Sequence, residues 1–223
     1  MHKSGQQQLP FRTWGGKRRR PRRNAISRAS VPHLARPTHN GRHPAHVTLR
    51  AVRRLPSLRR QTVFREVLRA LPRTGRSWFR IIHFSVQADH VHLLVEANDK
   101  TSLSRGVAGA CIRLARTINR VMGRQGRVWS DRFHARALRT PREVRNGIVY
   151  VLMNWKKHVP RASGFDRFSS VFWFDGWVSA LSRGPPPAPV DDVPVEPART
   201  WLLRTGWKRH GRIGSDEQPK VGS

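Results

Sequence analysis

The sequence predicts an α+β fold, a four-stranded βαββαβ sheet followed by one further helix. Three observations carry that prediction. Segments of aromatic and β-branched residues alternate with stretches whose apolar residues recur every three or four positions. Turn and cap signals separate them: Pro56-Ser57, Pro72 with Gly75, Gly123 with Gly126, and Thr140-Pro141-Arg142-Glu143. The 223 residues are 37% apolar, enough for a modest core but not for one that includes the whole chain.

Residues 1–44 are expected to lie outside that core. They contain no acidic residue, several Pro and Gly, and a basic run from Lys17 to Arg23 that includes Arg18, Arg19 and Arg20. Such a segment buries too little apolar surface to offset its ordering entropy, so it reads as a disordered basic arm. Order begins near Pro44, and His46 to Val52 alternate as a half-buried first strand. Leu58, Phe64, Val67, Leu68 and Leu71 then recur at helical spacing, between Pro56-Ser57 and Pro72. Residues 78–86 read as the second strand and residues 89–96 as the third, its hairpin partner across Gln87-Ala88.

Leu103, Val107, Cys111, Leu114, Ile118 and Val121 make one apolar stripe on a helix over 102–122. Arg113, Arg116 and Arg120 repeat on another face, either as a solvated surface or as a ridge that tracks phosphates. Residues 134–139 suit a fourth strand. Thr140 to Glu143 then form a capping box with Pro at the first helical position, opening a helix expected to reach about His158. The order is that of the split-βαβ, or ferredoxin-like, sheet. Residues 45–160 thus make the main domain. Residues 161–223 are an irregular C-terminal extension with a Pro-rich linker, expected to pack on it.

Composition narrows the partner. Forty-four Lys+Arg against 13 Asp+Glu give a net charge of +31, which calls for a polyanion, and nucleic acid is the expected one. Only 7 of the 44 are Lys, so Arg-rich composition contributes, yet acids have not risen alongside. No window approaches ~18 uninterrupted apolar residues, so no membrane-spanning helix is expected. The basic N-terminus lacks an apolar export segment. A single cysteine, Cys111, excludes an internal disulfide framework and any Cys-rich zinc module. A cytoplasmic, nucleoid-associated protein is the expectation.

One constellation points to chemistry. His90 and His92 stand at i and i+2 of a strand, so both rings leave one face while Val91, Leu93 and Val95 serve the other. Two such imidazoles can hold a divalent metal, or they are ordinary strand histidines. The last helix has its stripe at Val144, Ile148, Val151, Leu152, Trp155 and Val159, and at ~100° per residue Tyr150 lies roughly 150° from its centre. Asn154 stands beside Tyr150 with an amide oxygen to offer. His46 and His83 lie on neighbouring strands and could approach the pair, though each reads first as structural; strand alternation puts Asp89 on the face opposite His90, which leaves it a turn role or a supporting bond to a ligand. Trp129 and Arg132 read as packing residues.

The segments DHVHLLVE, VWSDRFHARALRT and VYVLMNWKKH, in that order, resemble the single-tyrosine His-hydrophobic-His (HUH) transposases, namely the insertion-sequence-200-like and REP-associated tyrosine transposases. The resemblance spans residues 44–160. It implies a metal-dependent enzyme that nicks and rejoins single-stranded DNA, commonly folded as a hairpin, through a 5′-phosphotyrosine. By that resemblance His90 and His92 are the pair for Mg²⁺ or Mn²⁺, Asn154 the third ligand, and Tyr150 the nucleophile on a final catalytic helix. Arg113, Arg116, Arg120 and the arm's Arg18, Arg19 and Arg20 become candidate DNA contacts. Asn154 is followed by Trp155 where many members carry Pro, a departure that bears on substrate preference. Relatives include homodimers, so monomer and homodimer both stay open. The rival readings are a non-catalytic, domesticated DNA-binding protein and an RNA-binding module, though the latter wants exposed aromatics where this strand has histidines.

Overall fold

The computed structural model describes residues 37–159, 164–178 and 193–219. Four strands, β1 (Ala45–Arg50), β2 (Phe79–Val86), β3 (His90–Ala97) and β4 (His134–Ala137), pair as one antiparallel sheet in the order β2-β3-β1-β4. Helix α1 (Gln61–Ala70) crosses from β1 to β2, and α2 (Lys100–Val121) from β3 to β4. Helix α3 (Pro141–Met153) follows β4. This is the ferredoxin-like arrangement that the element order predicts.

The sheet has two covered faces. On one, Val47, Leu49, Phe84, Leu93 and Val95 meet Phe64, Leu68, Val107, Leu114 and Ile118 of α1 and α2. On the other, Ile82 and Leu94 meet Val144, Ile148, Val151 and Leu152 of α3, joined by Val171, Phe174, Trp207 and Ile213 from the C-terminal extension. Two glycines permit these approaches. A side chain at Gly106 would run into the Phe79 ring, and a Cβ at Gly147 would sit 2.6 Å from Leu138 Cδ1, which is how α3 settles close to the end of β4.

Element ends differ from expectation where tertiary bonds intervene. Helix α1 starts at Gln61, not near Ser57. The Leu58 amide donates to Ala88 O (2.9 Å), and the Arg59 guanidinium donates to Val86 O and Asp166, tying residues 58–59 to the end of β2. Asp99 caps α2 by accepting from the Ser102 amide at 2.8 Å. The α3 capping box forms as read: Thr140 Oγ1 accepts from the Glu143 amide at 3.2 Å, and Glu143 Oε2 accepts from the Thr140 amide at 3.1 Å. The helix stops at Met153, short of His158, because the backbone leaves helical values there (φ −108°, ψ 12°). Asn154–Lys157 continue as a tighter 3₁₀ turn that buries the side chains of Asn154 and Lys156.

The C-terminal extension contributes two 3₁₀ turns, Ser170–Trp173 and Gly206–His210, and a short helix α4 (Trp201–Arg204). Its anchor is Glu96 on β3, 1% exposed. That carboxylate accepts from Arg80 Nε and Nη2, from the Arg199 and Thr200 amides, and from Thr200 Oγ1. A buried charge so fully bonded holds its partners in one geometry. At the other end, Arg145 of α3 donates to Gly211 O and Arg212 O and pairs with Glu217 at 2.7 Å. Among the described residues, no helix is long and apolar enough to cross a membrane.

Candidate active site

The register of the sheet gathers the histidines. Thr48 lies opposite His92 and Arg50 opposite His90, so His46, Thr48, His90 and His92 share the face that α3 covers. The His90 and His92 rings stand 4.6 Å apart, edge to face. Helix α3 delivers Tyr150 to them, its ring centroid 5.1 Å from His92 and 5.2 Å from His46. Tyr150 is the only tyrosine of the chain. Lys157, from the 3₁₀ turn, sets its ammonium 4.0 Å from the Tyr150 ring centroid.

Second partners orient the two rings. Asp89 Oδ1 accepts from His90 Nδ1 at 2.7 Å, which leaves His90 Nε2 as the nitrogen with a lone pair. That hydrogen bond also holds the Asp89 carboxyl below its usual pKa, despite partial burial. His92 Nδ1 lies 3.1 Å from His46 Nε2 and 3.2 Å from Thr48 Oγ1. With His92 Nδ1–H donating to His46, the His92 Nε2 lone pair is likewise presented. Burial, then the neighbouring His46, His90 and Lys157 charges, pushes His92 down to about 2. Burial, with His134 and Arg136 nearby, pushes His46 down to about 4. Both rings are therefore neutral at neutral pH and keep their lone pairs.

Asn154 opens the turn after α3 and is 1% exposed. Its Oδ1 and His92 Nε2 are both buried without a hydrogen-bond partner. An unsatisfied buried acceptor costs about 1–3 kcal/mol, and both atoms are lone-pair donors that a cation would satisfy. Among the described residues, no group of three His, Cys, Asp or Glu side chains is disposed to hold a metal ion. A site here would accordingly combine the two imidazoles with an amide oxygen.

The expected arginine ridge lies elsewhere. Arg113, Arg116 and Arg120 ride on α2, which packs on the sheet face opposite α3. Arg116 and Arg120 are exposed, and Arg120 sits 3.7 Å from Glu66 of α1, an acid that the α2 sequence alone does not reveal. Arg18, Arg19 and Arg20 lie outside the described residues. Trp129 packs beside the core, its Nε1 donating to Cys111 O at 2.9 Å.

Of three further participants, only Lys157 escapes the sequence reading altogether; His46 and Asp89 take the less favoured of the roles open to them. His46 looks like a strand histidine until the β1–β3 register sets it beside His92. Asp89 was expected on the opposite face, but the strand begins only at His90, so alternation does not govern it and its carboxylate turns back to the ring. Lys157 reaches Tyr150 because the chain tightens into a 3₁₀ turn. His83, by contrast, is structural: buried against Phe174, with Nδ1 3.3 Å from Ser170 Oγ.

Comparison with known proteins follows the same lines. Residues 42–145 match the family model described as "Transposase IS200 like", a span that includes both histidines and ends five residues before Tyr150. No curated protein matches the chain. Among solved structures, that of a REP-associated tyrosine transposase bound to a REP hairpin matches with a TM-score of 0.49 and 18% identity, over 64% of this chain and 84% of that one. The histidine-bearing sheet described above is thus the part of the molecule that the family model matches.

Proposed function

We propose that this protein nicks and rejoins single-stranded DNA through a covalent 5′-phosphotyrosine on Tyr150, at a divalent metal held by His90, His92 and Asn154. The observation that carries the reading is the position of the sole tyrosine, its ring edge-on to His92, whose buried Nε2 lacks a partner. Two imidazoles and one amide oxygen suit a first-row divalent ion such as Mn²⁺, with Mg²⁺ the harder alternative. When bound, such an ion polarises the scissile phosphate and stabilises developing negative charge.

The chain's own residues do the rest. Tyr150 Oη attacks phosphorus in line; one P–O bond forms to the tyrosine and one breaks to the 3′ oxygen. The phenol proton is released and the departing 3′ oxygen takes one up, so the exchange is balanced without ATP. Asp89 and His46 hold the two imidazoles in the tautomers that present Nε2. Lys157 brings a positive charge next to the nucleophile and the incoming phosphate. The α2 arginines, on the far layer, would contact a different stretch of the strand or its hairpin, and the net charge of +31 supports nucleoid association.

The test is a gel assay with labelled single-stranded DNA from the gene's flanks, in Mg²⁺ or Mn²⁺. Wild type should yield a protein-linked 5′ end that Tyr150→Phe and His90→Ala/His92→Ala both lack. Binding without cleavage by all three would instead identify a DNA-binding protein that keeps the fold without turnover.

A further inference from the structure

A cavity of about 270 Å³ opens beside the histidine pair, with Arg59, Gln87, Asp89, His90, Trp155 and His158 in its wall. It shares His90 with the candidate metal site, so a phosphodiester held at that ring brings its neighbouring nucleoside to the cavity's mouth. Its volume falls just below the ~300–1,000 Å³ of ordinary small-molecule sites, which suits one planar ring system better than a whole nucleotide.

The lining says which part of a nucleotide fits. Arg59 is the one arginine there, and its charge is already taken. It donates to Asp166 Oδ1 and Oδ2 at 2.8 and 2.9 Å and to Val86 O, and it stacks 4.3 Å from the Phe168 ring centroid. The Asp89 carboxylate, largely exposed, adds negative charge to the wall. Phosphate is therefore disfavoured. What remains is aromatic: the Trp155 indole and the exposed His158 ring 6.2 Å from His90, while the buried Gln87 amide already donates to Ser85 Oγ. The Trp155 Nε1–H is itself buried, so what the residue offers the cavity is its ring. Trp155 is also the residue at which the sequence departs from the Asn-Pro of many relatives.

We propose that this cavity takes the base of the nucleotide adjoining the scissile phosphate, stacked against Trp155 and His158, so that the protein itself reads one position of the cleaved strand. The proposal rests on the single-stranded DNA reading above. Base–aromatic stacking of this kind strengthens binding by about tenfold for each base stacked.

Fluorescence anisotropy tests it, using the full chain carrying Tyr150→Phe so that the strand stays intact. The probe is a labelled single-stranded oligonucleotide from the gene's flanks, in Mg²⁺, with an abasic residue stepped through each position. One abasic position should weaken binding about tenfold, and that penalty should vanish when Trp155→Ala is added. His158→Ala changes an exposed wall residue that the core does not need, and should shrink the same penalty. Trp155→Phe, which keeps an aromatic ring, should retain part of the penalty. A penalty unchanged in both alanine variants, or no position-dependent penalty, overturns the pocket. Position-dependent binding without any covalent adduct in the Tyr150 chain would uphold the pocket and sink the cleavage reading. An adduct formed with no position-dependent penalty would do the reverse.

Discussion

The two faces of the sheet are built on different principles. The face under α1 and α2 is apolar along every strand, with Leu93, Phe84 and Val47 fully buried among aliphatic and aromatic side chains. The face under α3 carries His46, Thr48, His90, His92 and Glu96, and His92 Nε2 is buried there without a partner. Where that second face must be stable, it is anchored at Glu96, whose carboxylate accepts from Arg80, Arg199 and Thr200. Where it meets Tyr150, the His92 Nε2 lone pair is left over. One layer holds the fold, while the other couples a satisfied polar anchor to an unsatisfied polar cluster, and the second is where chemistry has room to occur.

That contrast can be broken from either side. The largest effect should come from Tyr150→Phe, which removes the only tyrosine: covalent adduct should fall below detection while the urea midpoint stays at the wild-type value. Next, Glu96→Ala leaves Arg80 buried without its partner and frees the Arg199–Thr200 backbone; stability should drop by about 3–5 kcal/mol in urea unfolding. On the opposite face, Leu114→Ala opens a cavity costing about 2–5 kcal/mol, yet adduct yield per folded molecule should be unchanged. A fall in that yield would show that the two layers are not separable.

Smaller effects sharpen the picture. His46→Ala should weaken Mn²⁺ binding by about 10–100-fold in a titration, through loss of the ring that orients His92, with His46→Gln restoring part of it. The pH dependence of stability should come from buried imidazoles outside the site as well. Burial pushes His83 down to about 4, so it stays neutral in the folded chain while the unfolded chain takes up a proton near 6.5. Stability is then full above pH 6.5, declines as pH falls, and levels off below 4. Between pH 7.5 and 5 His83 should account for roughly 2 kcal/mol, read as the flattening of the urea-midpoint profile in His83→Gln.

Much of this was legible before any coordinates. Period-2 and period-3.6 patterns, the Thr140–Glu143 capping box and the Gly-Pro stops identify all four strands and the three main helices in order, because those signals are local and act within a few residues. The same locality places His90 with His92 on one face of β3. Whether that face meets Tyr150 depends on which strand lies next to which, and that was decided by long-range pairing. The β1–β3 register brought in His46, the turn before β3 brought in Asp89, and the tightening at Met153 brought in Lys157. The C-terminal extension closed the second core through bonds to Glu96 and Arg145 more than 60 residues away in sequence. Periodicity determines which side of an element a residue occupies; only packing between elements determines what it faces there.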